Sequence, residues 1–326
     1  MAGTVAAGLL IGAAFGALAT RGRICFNAAL RRAAFERDPT VLRVFAVAVA
    51  AQLLLLALLS PIGVSLAPVG LYPAAQVAGG LVFGAGMALA GGCIAGILWK
   101  TGAGSIATGV AIAGFAVGEL LIRGPAAPAL DVLDRASRGG SPPATLDAAL
   151  GLPYPPLAAA LGAFGLVALL ARRRDGLVLG LALGGVSTIA WVAADLTGSG
   201  YGLGFTGAAA NVRGAVAAGE PSLLGWSVFL AVGVLAGAAV VARGPLRRPD
   251  RARLIRALAG GVLMGLGATI ARGCNIGLGL AGLPTLSLGS ALAVACMAVA
   301  ALAVRRGVLE NRPGLRGIER PEPAGW

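Results

Sequence analysis

Three cysteines lie in short, glycine-rich, apolar stretches that hold most of the potential chemistry of the chain. They are Cys25 in Arg21-Gly22-Arg23-Ile24-Cys25-Phe26-Asn27, Cys93 in Gly91-Gly92-Cys93-Ile94-Ala95-Gly96, and Cys274 in Arg272-Gly273-Cys274-Asn275-Ile276-Gly277-Leu278-Gly279. A fourth stretch, Gly198-Ser199-Gly200-Tyr201-Gly202-Leu203-Gly204, shares Gly-Leu-Gly with the third and sets Ser199 opposite Cys274. A thiol among exposed backbone N–H groups can donate a weak S–H hydrogen bond to a passing anion, and unlike a buried ammonium it carries little desolvation cost when the site is empty. Such a soft donor suits an anion with a soft terminal atom. A sulfur oxyanion with a sulfane sulfur fits; sulfate and phosphate, better served by hydroxyl, amide or arginine contacts, do not. Cys296, inside the uninterrupted apolar run 291–300, reads as packing.

The remaining polar residues near these stretches are few. Asn27 and Asn275 follow their cysteines closely and are placed to satisfy freed carbonyls; Gly92 and Gly273 immediately precede theirs. Arg21 and Arg272 stand where a cation would draw an anion inward from opposite faces, or equally where a helix-end arginine snorkels. Glu119 has two readings, a proton or cation partner or a helix-end carboxylate beside Arg123. Asp195 and Arg213 flank the fourth stretch and are candidates to pair or line an entrance, and Lys100, the single lysine, follows Trp99 as a headgroup-level anchor would. Histidine is absent and the four cysteines form no CxxC pair. Catalytic triads, Cys–His pairs, histidine-ligated metals, zinc clusters and thioredoxin-type redox sites are thereby excluded, and no cofactor is expected.

The elements that carry these residues are membrane helices. Of 326 residues 58% are hydrophobic, only 12% are charged and 53 are glycine; the mean hydropathy is +0.88. A bilayer core needs roughly 20 apolar residues per helix, and nine segments qualify: 3–20, 41–60, 74–92, 104–122, 155–171, 176–194, 222–242, 255–271 and 285–304. Arginines follow the first segment rather than precede it, so it reads as a span and not a cleaved signal. Alternating sides gather Lys+Arg unequally. Arg123, Arg135, Arg138, Arg213 and Arg272 fall on one face and the other 21 of 26 on the opposite face, among them Arg172, Arg173, Arg174, Arg243, Arg247, Arg248, Arg312, Arg316 and Arg320. The positive-inside rule then predicts an outside N-terminus and a cytoplasmic C-terminus in a bacterial inner membrane. The net charge of +13 is thus topological and does not indicate nucleic acid.

The chain also repeats itself. Ala78-Gly79-Gly80, Gly84, Gly86, Ala90, Gly92-Cys93 and Gly96 recur 181 residues later as Ala259-Gly260-Gly261, Gly265, Gly267, Ala271, Gly273-Cys274 and Gly277, and Gly8 and Gly12 are echoed by Gly180 and Gly184. Four spans per half with one extra span between them predict a second half inverted relative to the first. The expected fold is an all-α polytopic membrane protein of nine transmembrane helices, in two inverted halves with four re-entrant central loops. It forms a single transport domain: first half 1–122, linker loop and helix 123–175, second half 176–304, and a short cytoplasmic tail 305–326. The linker, with Pro125, Pro128, Pro142, Pro143 and Pro153, reads as an outer loop holding one short amphipathic helix. Isolated glycines such as Gly84 and Gly86 read as close-packing faces. The four breaks read as an anion site built from backbone dipoles.

The segments RGRICFN (21–27), GGCIAG (91–96) and RGCNIGLGLAG (272–282) resemble the YeeE/YedE sulfur-transport family over almost the whole chain. The resemblance implies pseudo-symmetric quarters, four loops dipping to the centre, and import of thiosulfate handed inward by the loop cysteines, here Cys25, Cys93 and Cys274. It also implies a small cytoplasmic sulfur-carrier or rhodanese-like partner. The expectation is a transporter rather than an enzyme. Its rivals are a membrane sulfurtransferase that forms a cysteine persulfide, a permease for another sulfur or selenium species, and a generic anion channel.

Overall fold

The computed structural model describes residues 2–137, 144–172, 175–242 and 249–311. Arg138, Pro142, Pro143, Arg173, Arg174, Arg243, Arg247, Arg248 and the tail from Arg312 lie outside the described residues. Within them the chain is an all-α polytopic membrane protein, its one strand-like feature an isolated bridge between Thr145 and Ser287. The long helices are α1 (Ala2–Arg21), α3 (Thr40–Leu59), α4 (Pro73–Ala90), α6 (Ile106–Arg123), α9 (Tyr154–Arg172), α10 (Leu177–Leu196), α12 (Trp226–Val241), α13 (Arg251–Ile270) and α14 (Leu288–Asn311). Short helices intervene: α2 (Phe26–Phe35), α5 (Ile94–Gly102), α7 (Ala127–Ser137), α8 (Leu146–Leu150) and α11 (Ala208–Ala218). A π-helical turn, Gly277–Gly282, precedes α14.

Eight helical stretches among the described residues are long and apolar enough to cross a bilayer, while α12, the counterpart of segment 222–242, has 16 residues. At 1.5 Å per residue it spans roughly 24 Å. It begins later than the hydropathy predicts because Pro221 starts a separate 3-10 turn. α14 likewise starts three residues late, after the 3-10 turn Leu283–Thr285 and the left-handed Leu286. The linker differs from expectation by holding two short helices, α7 and α8, and it is stitched to the start of α14. The Leu146 N–H donates to Leu286 O (2.9 Å), Leu288 N–H to Ala144 O (3.0 Å), and Tyr154 OH to Pro284 O (2.8 Å).

Glycine sets the central packing, as the repeated motif anticipates. α4 and α13 run antiparallel in direct contact, and their approach is reciprocal. A methyl carbon added at Gly79 would stand 2.7 Å from Gly267 O, and one at Gly267 would stand 2.6 Å from Gly79 O; the same holds for Gly86 and Gly260, at 2.7 Å each way. The reciprocity extends outward. Gly80 of α4 faces Ala293 of α14 as Gly261 of α13 faces Ala111 of α6, and Gly12 of α1 meets Leu230 of α12 as Gly184 of α10 meets Ala48 of α3. Lipid chains are as apolar as the side chains they would replace, so association rests on backbones packed this closely. α9 is peripheral, seated on α3 through Gly162.

At the α2–α3 corner Arg31 pairs with Glu36 and Arg32 with Asp38. Asp38 Oδ1 accepts from the Thr40 N–H (3.0 Å). Hydrogen bonds from Thr40, and then Arg32, hold its carboxyl below the ordinary value of 3.8. Since the folded value is the lower one, this stabilisation exists above the ordinary aspartate range and disappears as pH falls through the lowered value. Melts in detergent should therefore show Asp38→Asn below the parent protein in apparent Tm at neutral pH, with the gap closing in acid. A second expectation concerns the glycine seam. Gly79→Ala and Gly260→Ala should each cost about 1–3 kcal/mol through overpacking, whereas Gly185→Ala on α10, whose added methyl meets nothing within 4 Å, should leave the apparent Tm unchanged.

Candidate substrate pathway and thiol sites

Cys25, Cys93 and Cys274 each follow the end of a long helix: the first two are the N-caps of α2 and α5, and Cys274 stands directly before the helical residues that begin at Asn275. The two residues before each cysteine set this arrangement. Arg23, Gly91 and Arg272 lie two positions before Cys25, Cys93 and Cys274, and all three are left-handed, with φ of 49°, 73° and 63°. At two of these ends the next residue closes the long helix by bonding five residues back, Ile24 N–H to Ala19 O and Gly273 N–H to Ala268 O, both 2.8 Å. The thiol then opens the following helix. Cys93 Sγ accepts from the Gly96 N–H and Cys274 Sγ from the Gly277 N–H, both at 3.4 Å. A left-handed backbone favours glycine and costs other residues about 1–2 kcal/mol, yet two of the three positions hold arginine.

The structure brings Cys25 and Cys93 together. Both sulfurs lie against Gly96, and Cys93 Sγ accepts from the Phe26 N–H at 3.2 Å. Gly96 is forced by this pair, because a methyl there would stand 2.6 Å from Cys25 Sγ. Asn27 Nδ2 donates to Met87 O (3.1 Å), a carbonyl freed at the end of α4, as the sequence leads one to expect. Trp99 Nε1 donates to Ile24 O (2.8 Å) inside the break itself, and Lys100 Nζ to Gly91 O (3.3 Å). Lys100 therefore ties the cysteine break to its own helix in addition to lying beside the Trp99 ring. Arg21, at the end of α1, is exposed.

Cys274 stands in a second group, at a cavity of about 640 Å³ whose lining includes Ser199, Tyr201, Thr206, Arg123, Arg272 and Gly273 but neither Cys25 nor Cys93. The Tyr201 hydroxyl donates to Gly277 O (2.7 Å), Trp226 Nε1 to Gly202 O (2.8 Å) and Trp191 Nε1 to Ala281 O (3.3 Å). Arg272 stacks on Tyr72, its Cζ 3.9 Å from the ring centre. At this fourth stretch the left-handed residue is Gly198, and Ser199 makes the five-back bond to Ala194 O (2.8 Å), so Gly200 rather than Ser199 occupies the cysteines' place. Ser199 lines the cavity and pairs with Thr197 Oγ1 at 2.8 Å. Its alignment by Gly-Leu-Gly runs one residue out of step because the helix end, not the later glycines, sets the register.

Sequence reasoning missed Gln52 and Ser187, two buried polar groups that join Asn275. Gln52 and Ser187 are fully buried and Asn275 is 3% exposed, and their polar side-chain atoms have no partner. Asn275 thus differs from Asn27 in satisfying no carbonyl. Gln52 and Ser187 belong to α3 and α10, which pack together and against the turn that Asn275 introduces. In the reciprocal packing their places are taken by Val234, Phe15 and Ile94, all buried and apolar. The Cys274 group therefore has a polar surround and the Cys25/Cys93 pair an apolar one. The signal available in the sequence was a difference between repeats at aligned positions rather than a match.

These observations define a polytopic α-helical membrane protein whose broken helices hold buried thiols, one of them, Cys274, at the wall of a cavity. Comparison with known proteins gives the particular lineage. The family model described as "Sulphur transport" matches residues 21–179 and 168–303, and the chain belongs to that family. It is 33% identical over 312 residues to a thiosulfate transporter, TsuA, of Spirochaeta thermophila, covering 88% of this chain and 93% of that protein. It is 30% identical over 307 residues to the thiosulfate transporter TsuA of Escherichia coli strain K12, covering 85% and 86%.

Two substitutions separate buried polar groups that hold the fold from those that do not. Tyr201→Phe leaves the Gly277 carbonyl without its partner and should destabilise the protein by about 1–3 kcal/mol. Gln52→Leu removes an unpartnered amide and should raise the apparent Tm. Thermal unfolding of the two variants in the same detergent reads both signs.

Proposed function

We propose that this chain takes up thiosulfate across the bacterial inner membrane, passing it through a constriction lined by Cys25, Cys93 and Cys274. The observation that carries the reading is the recurrence of a buried thiol at the start of three short helical stretches, one of them at the wall of the cavity. Thiosulfate has a soft terminal sulfur and three hard oxygens. Thiols suit the first; N–H groups near Gly92 and Gly273, the hydroxyl of Ser199 and the amides of Asn27 and Asn275 suit the second. Arg272 at the cavity and Arg21 at the far end of α1 draw the dianion along. Its route begins at the cavity, where the surround of Cys274 is polar, and continues to the apolar surround of the Cys25/Cys93 pair. The names of both relatives support the choice of substrate.

The topology belongs to the same proposal. In this reading the chain crosses nine times, with α12 as one of the crossings, and the distribution of arginine supports an outside N-terminus and a cytoplasmic C-terminus. The halves 1–122 and 176–304 are inverted repeats joined by 123–175. The antiparallel, reciprocal contact of α4 with α13 supports a two-fold axis in the membrane plane. The four breaks are re-entrant loops. On the cytoplasmic side a small sulfur-carrier or rhodanese-like protein receives the ion.

Growth on thiosulfate as sole sulfur source, in a strain stripped of other uptake routes, tests the reading. The parent gene should restore growth. Cys25→Ala, Cys93→Ala and Cys274→Ala should each cut uptake of radiolabelled thiosulfate by about tenfold or more, the worth of one hydrogen bond to a charged group, with the protein still present in the membrane. Normal uptake by the triple variant would sink the thiol pathway. Intact mass after incubation with thiosulfate should show no added sulfur; a persulfide adduct would favour the sulfurtransferase rival.

A further inference from the structure

Glu119 is placed as no other acidic side chain among the described residues is. It sits one turn before the end of α6 and is fully buried. Its Oε1 is 3.4 Å from Arg123 Nε and accepts from the Ala210 N–H, also at 3.4 Å, in the first turn of α11. Its Oε2 is buried with no partner. A carboxylate built only to cap a helix does better: Asp250 holds the Arg253 N–H at the start of α13 at 2.8 Å. Nor does the packing require a carboxylate. In the reciprocal arrangement of α14 against α2, the place of Glu119 is taken by the buried methyl of Ala301.

Arg123 joins Glu119 to the pathway. It is 42% exposed and lines the same cavity as Arg272, Thr206 and Cys274. While Glu119 is ionised, it neutralises the Arg123 charge that an entering dianion would meet. A proton on Glu119 removes the buried charge and leaves the guanidinium to the anion. Anion and proton then favour each other's binding, and by linkage the preference is mutual. The geometry points to Glu119 as a proton-binding site that couples thiosulfate entry to proton entry, an inference that rests on the transport reading above.

Among the side chains described, the other charged groups around α6 are Arg213 on α11, which reaches Gly124, Asp131 and Arg135 on α7, Arg272 beyond the end of α13, and Lys100 on α5 with Arg251, Arg253 and Arg256 of α13 at the opposite end. The arginines stay charged at all working pH values, and Asp131 is exposed on α7. This leaves Glu119 as the buried titratable carboxyl of the group.

The test uses the full chain in proteoliposomes with the membrane potential clamped and a pH dye inside. With the parent protein, external thiosulfate should acidify the lumen by one proton per ion, and an acidic exterior should drive accumulation. Glu119→Gln should exchange radiolabelled thiosulfate at equal concentrations on both sides but neither acidify the lumen nor accumulate the ion. Thiosulfate entry by the parent protein without acidification overturns the coupling and leaves the transport reading standing, a result that needs no variant to fold. Persistent acidification by Glu119→Gln also overturns it. Absence of exchange by the parent protein overturns both readings.

Discussion

A helix that breaks inside a protein surrounded by lipid releases N–H and C=O groups that water cannot satisfy, so side chains must. Most of what is distinctive in this chain answers that constraint. Trp99, Trp191, Tyr201, Trp226 and Asn27 each spend a hydrogen bond on a carbonyl in or beside a break. The sulfurs of Cys93 and Cys274 accept from N–H groups at the start of short helices. Aromatic residues are only 5% of the sequence, yet all three tryptophans among the described residues, Trp99, Trp191 and Trp226, commit their indole N–H to this task. The sulfurs of Cys93 and Cys274 are thereby fixed in place by backbone N–H groups.

Duplication provides the frame and its loss provides the chemistry. The reciprocal glycine contacts of α4 with α13 position two similar helix ends on opposite sides of one seam. Where the copies agree, as in Gly96 and Gly277 bonding Cys93 and Cys274 at the same distance, the shared feature is a buried thiol at the start of a short helical stretch. Where they differ, the difference is polar. Ser187, Gln52, Asn275 and Glu119 stand opposite Phe15, Val234, Ile94 and Ala301. These four positions break the equivalence of the two halves.

The sequence was most informative where a physical rule acts locally. Apolar runs of bilayer length and a glycine pattern recurring after 181 residues made the membrane helices and their doubling legible, and residues 21–27, 91–96 and 272–282 carried the family resemblance. Helix ends were less legible. α12 and α14 start late because Pro221 and Leu286 interrupt them, and Ser199 falls one residue short of the cysteines' place because Gly198 ends the preceding helix.

The sequence by itself therefore determined that this is a polytopic α-helical membrane protein with thiols in glycine-rich breaks, since hydropathy and glycine content act through neighbours along the chain. Only the tertiary structure decided which thiols meet, that Asn27 is satisfied and Asn275 is not, and that Glu119 reaches α11 while Arg123 faces the cavity. Those outcomes depend on hydrogen bonds and burial between residues far apart in sequence, which exist only once the helices have packed.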